Sequence, residues 1–134
     1  MSELSKSLGT MEYDGLIADI NPKLVVSGGT LRKLGTAGTI KRGTILAKSS
    51  GTKGDNKLVA LGTAATSDET LTAYAILCDD VDVGTENDVT VPIYLAGCFN
   101  LNKCITANSH AITEAEKDAL RNGGIIFKAA APAL

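Results

Sequence analysis

The chain contains no tryptophan, two phenylalanines, three tyrosines and a single histidine among 134 residues. Base-stacking platforms and aromatic sugar sites need ring faces that such a chain does not supply. A formal net charge of −2 lacks the cationic excess with which a general nucleic-acid binder neutralises phosphates, so no nucleic acid is expected as partner. No apolar run approaches the roughly 20 residues that cross a bilayer as a helix, so no membrane is expected either. The opening Met1-Ser-Glu-Leu-Ser-Lys6 lacks the apolar core of a secretory signal. The cysteines Cys78, Cys98 and Cys104 are odd in number and form no CxxC pair. They are expected to be reduced, mostly buried thiols in a protein made in a cytoplasm.

What is present is a globular composition, 44% hydrophobic and 21% charged. At this length one domain buries about two-thirds of its unfolded surface, enough for a core without staples. Fourteen glycines and recurrent threonines mark short strands joined by many turns. Charge is divided along the chain. Residues 1–57 carry nine basic and five acidic residues, a formal +4, and residues 58–134 carry four and ten, a formal −6. Such a dipolar chain either pairs with copies or a partner, or interleaves its halves and cancels the asymmetry internally.

Residues 1–22 show no clean period. Met11, Tyr13, Leu16, Ile17 and Ile20 are scattered among Glu12, Asp14 and Asp19, an arm that either packs on its own domain or orders on a partner. From residue 23 the pattern is β. Lys23–Ser27 reads as a strand stopped by Gly28-Gly29, Thr30–Leu34 as a second, and Thr39–Ala47 as a third around Gly43. Ser49–Asn56 and Gly62–Glu69 read as loops, Lys57–Leu61 as a strand, and Thr70–Cys78 as an alternating strand. Asp79–Asp88 is acidic and turn-like. In Val89–Phe99 the period of 2 places Val89, Val91, Ile93, Leu95, Gly97 and Phe99 on one face. Pro92 predicts an edge or a bulge at that point. Thr113-Glu-Ala-Glu116 is a capping box that opens one helix over about 113–122, stopped by Gly123-Gly124. Ile125–Phe127 reads as a last short strand. The expected fold is mainly β: one small domain over 23–134 with a single helix, preceded by an extended arm over 1–22.

Catalytic groups are scarce. Cys104 and His110 form a conceivable nucleophile–base pair, and Cys98, Cys104 and His110 a conceivable zinc set, without the tight ligand spacing that such sites use. Asp79, Asp80, Asp82, Glu86 and Asp88 suit a hard cation chemically but miss the EF-hand pattern, and an acidic turn explains them. Gly51–Lys57 does not supply a Walker A loop, and Gly-x-Ser-x-Gly is absent. Arg32-Lys33 and Lys41-Arg42 lack interleaved aromatics and read as solvated strand edges. No catalytic residue, metal ligand or cofactor site is therefore assigned, and no enzyme activity is expected.

One series of segments has a family look. Gly43-Thr-Ile-Leu46 is followed by a Gly-rich loop, then Lys57-Leu-Val-Ala60 and Ala75-Ile-Leu-Cys-Asp-Asp-Val-Asp82. Val91-Pro-Ile-Tyr-Leu-Ala-Gly-Cys-Phe-Asn100 comes next, and Ile112–Ile126 closes the series. In this order, over roughly ninety residues, the chain resembles the lambda-like head decoration proteins of tailed bacteriophages. The resemblance implies a β-clip-like fold and a homotrimer that sits on the outer surface of the virion. It implies binding to the major capsid protein at local three-fold axes of the expanded shell, which cements its subunits. The family's N-terminal arm lies along the shell, which makes Met11, Tyr13, Leu16, Ile17 and Ile20 the candidate capsid contacts. Two alternatives remain: a trimeric nucleotide hydrolase of the dUTPase type, which shares the β-clip architecture but whose phosphate motifs are missing here, and a tail or neck structural protein.

Overall fold

The computed structural model describes residues 16–19 and 23–128. Nine strands are described: β1 (Ile17–Asp19), β2 (Val25–Leu31), β3 (Gly38–Ile40), β4 (Ile45–Ser50), β5 (Leu58–Ala60), β6 (Thr70–Leu77), β7 (Val81–Val83), β8 (Val89–Asn100) and β9 (Ile125–Lys128). A 3-10 turn at Leu101–Lys103 and one helix, α1 (Glu114–Gly123), complete the elements. The domain is mainly β with a single helix near its C-terminal end, as the composition and periodicity imply.

The pairing closes on itself. β8 pairs with β2, β2 with β5, β5 with β4, β4 with β6, and β6 returns to β8, so five strands form a ring. Leu31, Leu46, Leu58, Ala75, Leu77, Val91 and Ile93 draw on all five and make one buried cluster, which is the ring's interior. A second cluster lies on the outer face, where Ile45, Ala47, Val59, Ala73, Ile76 and Tyr94 meet Phe99, Leu120 and Ile125. β1 and β9 flank the far end of β8, antiparallel and parallel respectively. β3 and β7 form a separate antiparallel ribbon. Its Val83 joins the interior cluster.

Two cores on opposite faces of the same strands explain where simple alternation fails. The β2–β8 register slips between Val25, opposite Ala96, and Val26, opposite Tyr94, so Leu95 is an extra residue. A bulge of this kind reverses which face later side chains occupy. Val91 and Ile93 therefore enter the interior while Phe99 joins the outer core, and the single face expected for 89–99 is split. β6 behaves the same way. Ala75 pairs with Leu46 and Ala73 with Ala47, which leaves Tyr74 as the extra residue and sends Ala73 and Ala75 to different cores.

Pro92 sits in the most extensively paired strand, in register opposite Gly28, and not at an edge or a bulge. Its carbonyl accepts from the Cys78 amide, just beyond the last β6–β8 pair, Leu77 with Ile93. The absent N–H falls on that same side, at the end of the β6–β8 pairing, and the Arg42 guanidinium donates to the Cys78 carbonyl there. Gly28-Gly29 likewise does not end a strand, and the separate strand expected at 30–34 is the continuation of β2. An added Cβ at Gly29 would meet Leu58 and Ile93 side chains at 2.7 and 2.9 Å, so this glycine permits close packing within the ring. The strand expected over 39–47 is cut at Gly43, whose φ of 92° is a left-handed conformation. β4 then continues through Ser50 into the expected loop, and the acidic stretch 79–88 contains β7.

Around α1 the reading and the structure agree closely. The Thr113 hydroxyl accepts from the Glu116 amide, and the Glu116 carboxylate accepts from the Thr113 amide. Gly124, at φ 109°, closes the helix. Leu120 is its buried anchor.

Candidate functional site

The five residues singled out in the arm divide. Met11, Tyr13 and Ile20 lie outside the described residues. Leu16 is 1% exposed and packs in the outer core, and its carbonyl accepts from the Asn100 amide at 2.7 Å. Ile17 pairs with Phe99 and packs against the same core. Leu16 is therefore spent inside the domain, which extends in sequence back to residue 16, while Ile17 is half-buried against the same core.

One edge of β2 is open to a partner on the described surface. Strand β5 meets β2 only where Leu58 pairs with Leu31. On that side the Arg32 amide donates to the Leu58 carbonyl, and backbone alternation aims the polar groups of Val26, Gly28 and Thr30 the same way. No described strand lies beside residues 25–30 there. Val25 and Val26 are 46% and 57% exposed. A neutral edge with apolar side chains and no charged side chain of its own is a template for strand addition. The sequence signal for it is Val25-Val26 followed by uncharged Ser-Gly-Gly-Thr30, which reads as an ordinary short strand until its neighbours are known.

The charged residues are largely committed to the fold. The Arg32 guanidinium donates two hydrogen bonds to the Asp55 carboxylate, at 3.0 and 2.9 Å, and a third to Glu69. Glu69, whose side chain is 2% exposed, also accepts from the fully buried Ser49 hydroxyl and from the Thr66 amide. The Ser49 hydroxyl first, with the Thr66 amide and Arg32, holds the Glu69 carboxyl down to about 2. Arg32 does the same for Asp55, also about 2. Lys57 pairs with Asp88, which also accepts from the Lys33 amide. Arg42 donates to the Cys78 carbonyl and the Tyr94 hydroxyl, its guanidinium lying 5.6 Å from the Tyr94 ring centre. Arg32 and Arg42 are thus internal ties rather than solvated edge charges. Arg32–Glu69, Lys57–Asp88 and the Arg42 amide on Asp80 all join the basic half of the chain to the acidic half, so much of the asymmetry is consumed within one domain.

The groups considered for chemistry are placed elsewhere. His110 Nε2 lies 2.8 Å from Glu116 Oε1, so the histidine braces the start of α1. Burial works to raise the Glu116 carboxyl, but the Thr113 amide and His110 outweigh it and leave it below its usual value. The Cys104 thiol donates to the Asn100 carbonyl at 3.5 Å, and burial pushes it up to about 12. Burial likewise raises Cys78 to about 11. Such thiols are protonated at neutral pH and poor nucleophiles. Asp80, Asp82 and Asp88 accept from the Arg42 amide, the Thr39 hydroxyl and the Lys33 amide respectively. Among the described residues no three His, Cys, Asp or Glu side chains converge on a point that would hold a metal ion.

Fold and surface together define a small β domain built for packing, with an open strand edge as its plainest binding feature. No protein-family model and no curated protein matches the chain.

Proposed function

We propose that the chain is a structural protein of a tailed-bacteriophage head. It acts as a decoration protein, a homotrimer that binds major capsid protein on the outside of the expanded shell at local three-fold axes and stabilises it. The observation that carries this reading is the ordered series of segments from Gly43 to Ile126 that resembles that family. The segments coincide with the scaffold itself: β4, β5, the end of β6 with β7, β8, and α1 with β9. The open edge of β2 adds physical support, because a strand edge without a neighbour, next in sequence to the arm, is a natural place for a second chain to dock. Weak single contacts suffice when several copies engage a fixed lattice, since linked binding raises the effective concentration.

Co-sedimentation with expanded, undecorated heads tests the reading, with unexpanded proheads as the control. Saturable pelleting with expanded heads alone is expected. Removal of residues 1–15 isolates the arm. This cut spares Leu16, which the core needs, and is expected to weaken pelleting while circular dichroism stays unchanged.

A further inference from the structure

The far edges of β2 and β9 have no described strand beside residues 25–30 and 125–128. β8 stands between them. Tyr94 pairs with both Val26 and Ile76, and Cys98 with both Asp19 and Ile126, so β1 and β2 lie along one side of β8 and β6 and β9 along the other. On β2 the outward backbone groups include those of Val26 and Gly28. The Gly97 amide donates to the Gly124 carbonyl, so by alternation Ile125 and Phe127 of β9 turn their backbone groups away from β8.

The β9 edge borders a groove of about 370 Å³ that touches four consecutive residues, Ile125 to Lys128. Neighbouring side chains on a strand point to opposite faces, so a groove that meets all four runs along the edge. Its other wall is α1, whose charges there are balanced among themselves. Lys117 pairs with Glu114 at 3.3 Å and Arg121 with Asp118 at 3.0 Å. Such a groove suits an uncharged segment better than an ion. Val25–Leu31 of β2 carries no charge, and over 25–30 it has none of the charged residues or prolines with which isolated domains block edge pairing. Apolar surface gathers at the same places. Of the five large apolar side chains exposed among the described residues, Val25 and Val26 stand on β2 and Ile126 on β9.

We propose that β2 of one copy of this chain pairs with β9 of the next, entering the groove beside α1. The inference rests on the homotrimer of the capsid reading, to which it assigns an interface. Pairing β2 with β2 of another copy would cover one edge, leave β9 bare and stop at a dimer. An antiparallel pair of that kind centred on Gly28 also sets Lys23 opposite Lys33, a like-charge contact. Edges on opposite sides of β8 instead join head to tail, the arrangement that closes into a ring.

Sedimentation velocity of the full chain is the test, with Val26→Lys and Ile126→Lys as variants whose folding is checked by circular dichroism. The unmodified chain is expected to sediment as a trimer and each variant alone as a monomer. Mixed in equal amounts, the two variants are expected to form a dimer of one each, because one retains an intact β9 and the other an intact β2. Amide exchange of the unmodified chain reads the same contact without a substitution. Val26, Gly28, Ile125 and Phe127 are expected to exchange more slowly in the trimer than in the diluted monomer. A chain that stays monomeric, a trimer that survives either substitution, or unchanged exchange at those four amides would overturn the proposal. A surviving trimer removes this interface and leaves the homotrimer standing, and binding to heads is read separately by pelleting.

Discussion

Leu16 carries more weight than its place in an apparent arm suggests. It is 1% exposed and lies against the Gly43 turn, where an added Cβ would meet its Cδ1 at 3.3 Å. Leu16→Ala should therefore destabilise the domain by about 2–5 kcal/mol, the cost of emptying a well-packed leucine site, measurable by urea unfolding. Gly62 is the second sensitive position. Its φ is 107°, and a Cβ would sit 2.3 Å from the Ala107 carbonyl oxygen and 2.7 Å from His110 Cβ. Gly62→Ala combines backbone strain with displacement of the loop before α1, and should lower the melting temperature clearly. At Glu69 and Asp55 the consequence is a pH dependence. Both carboxyls are held down to about 2 from ordinary values of 4.5 and 3.8. A depressed carboxyl stabilises the fold above its unfolded value and loses that contribution as pH falls toward its folded value. Stability should accordingly fall as pH drops from about 4.5 to about 2, and Glu69→Gln should flatten that decline. An equally steep decline in the variant, followed by thermal melts across this range, would show that the Glu69 cluster is not its source.

At the scale of elements, α1 and β8 show what local pattern can and cannot reveal. The capping box and glycine stop were legible because every group involved lies within a few residues of its partner. Thr113→Ala should cost about 1 kcal/mol by removing one side of that box, checked by chemical denaturation. The long strand at 89–100 was legible as a strand, but its faces were not. Bulges at Leu95 and Tyr74 are set by which strands lie alongside, and a period of 2 read along one segment carries no information about its neighbours. Pro92 and Gly28-Gly29 were read as interruptions for the same reason. Each is accommodated by a tertiary circumstance, the departure of β6 and the close approach of Leu58 and Ile93. The ties made by Arg32 and Arg42 span 23 to 52 residues, out of reach of any local rule. Of the candidate contacts in the arm, Leu16 and Ile17 were separable from Met11, Tyr13 and Ile20 only once β1 was seen beside β8.

For the whole molecule, a closed five-stranded ring with cores inside and out provides a rigid body whose described charges are mostly spent on itself. Among the described residues, the edge of β2 remains open to a partner. Val26→Lys places a charge on the open edge without touching either core, so it should leave thermal stability nearly unchanged and weaken shell binding. Normal pelleting of that variant would remove the β2 edge from the account while leaving decoration itself in place. The most direct measurement is the pelleting of the native chain with expanded, undecorated heads and with unexpanded proheads, over a range of concentrations. Saturation on expanded heads and none on proheads is the predicted result. A folded protein that stays in the supernatant with both, at concentrations well above those of the shell sites, would contradict the decoration reading.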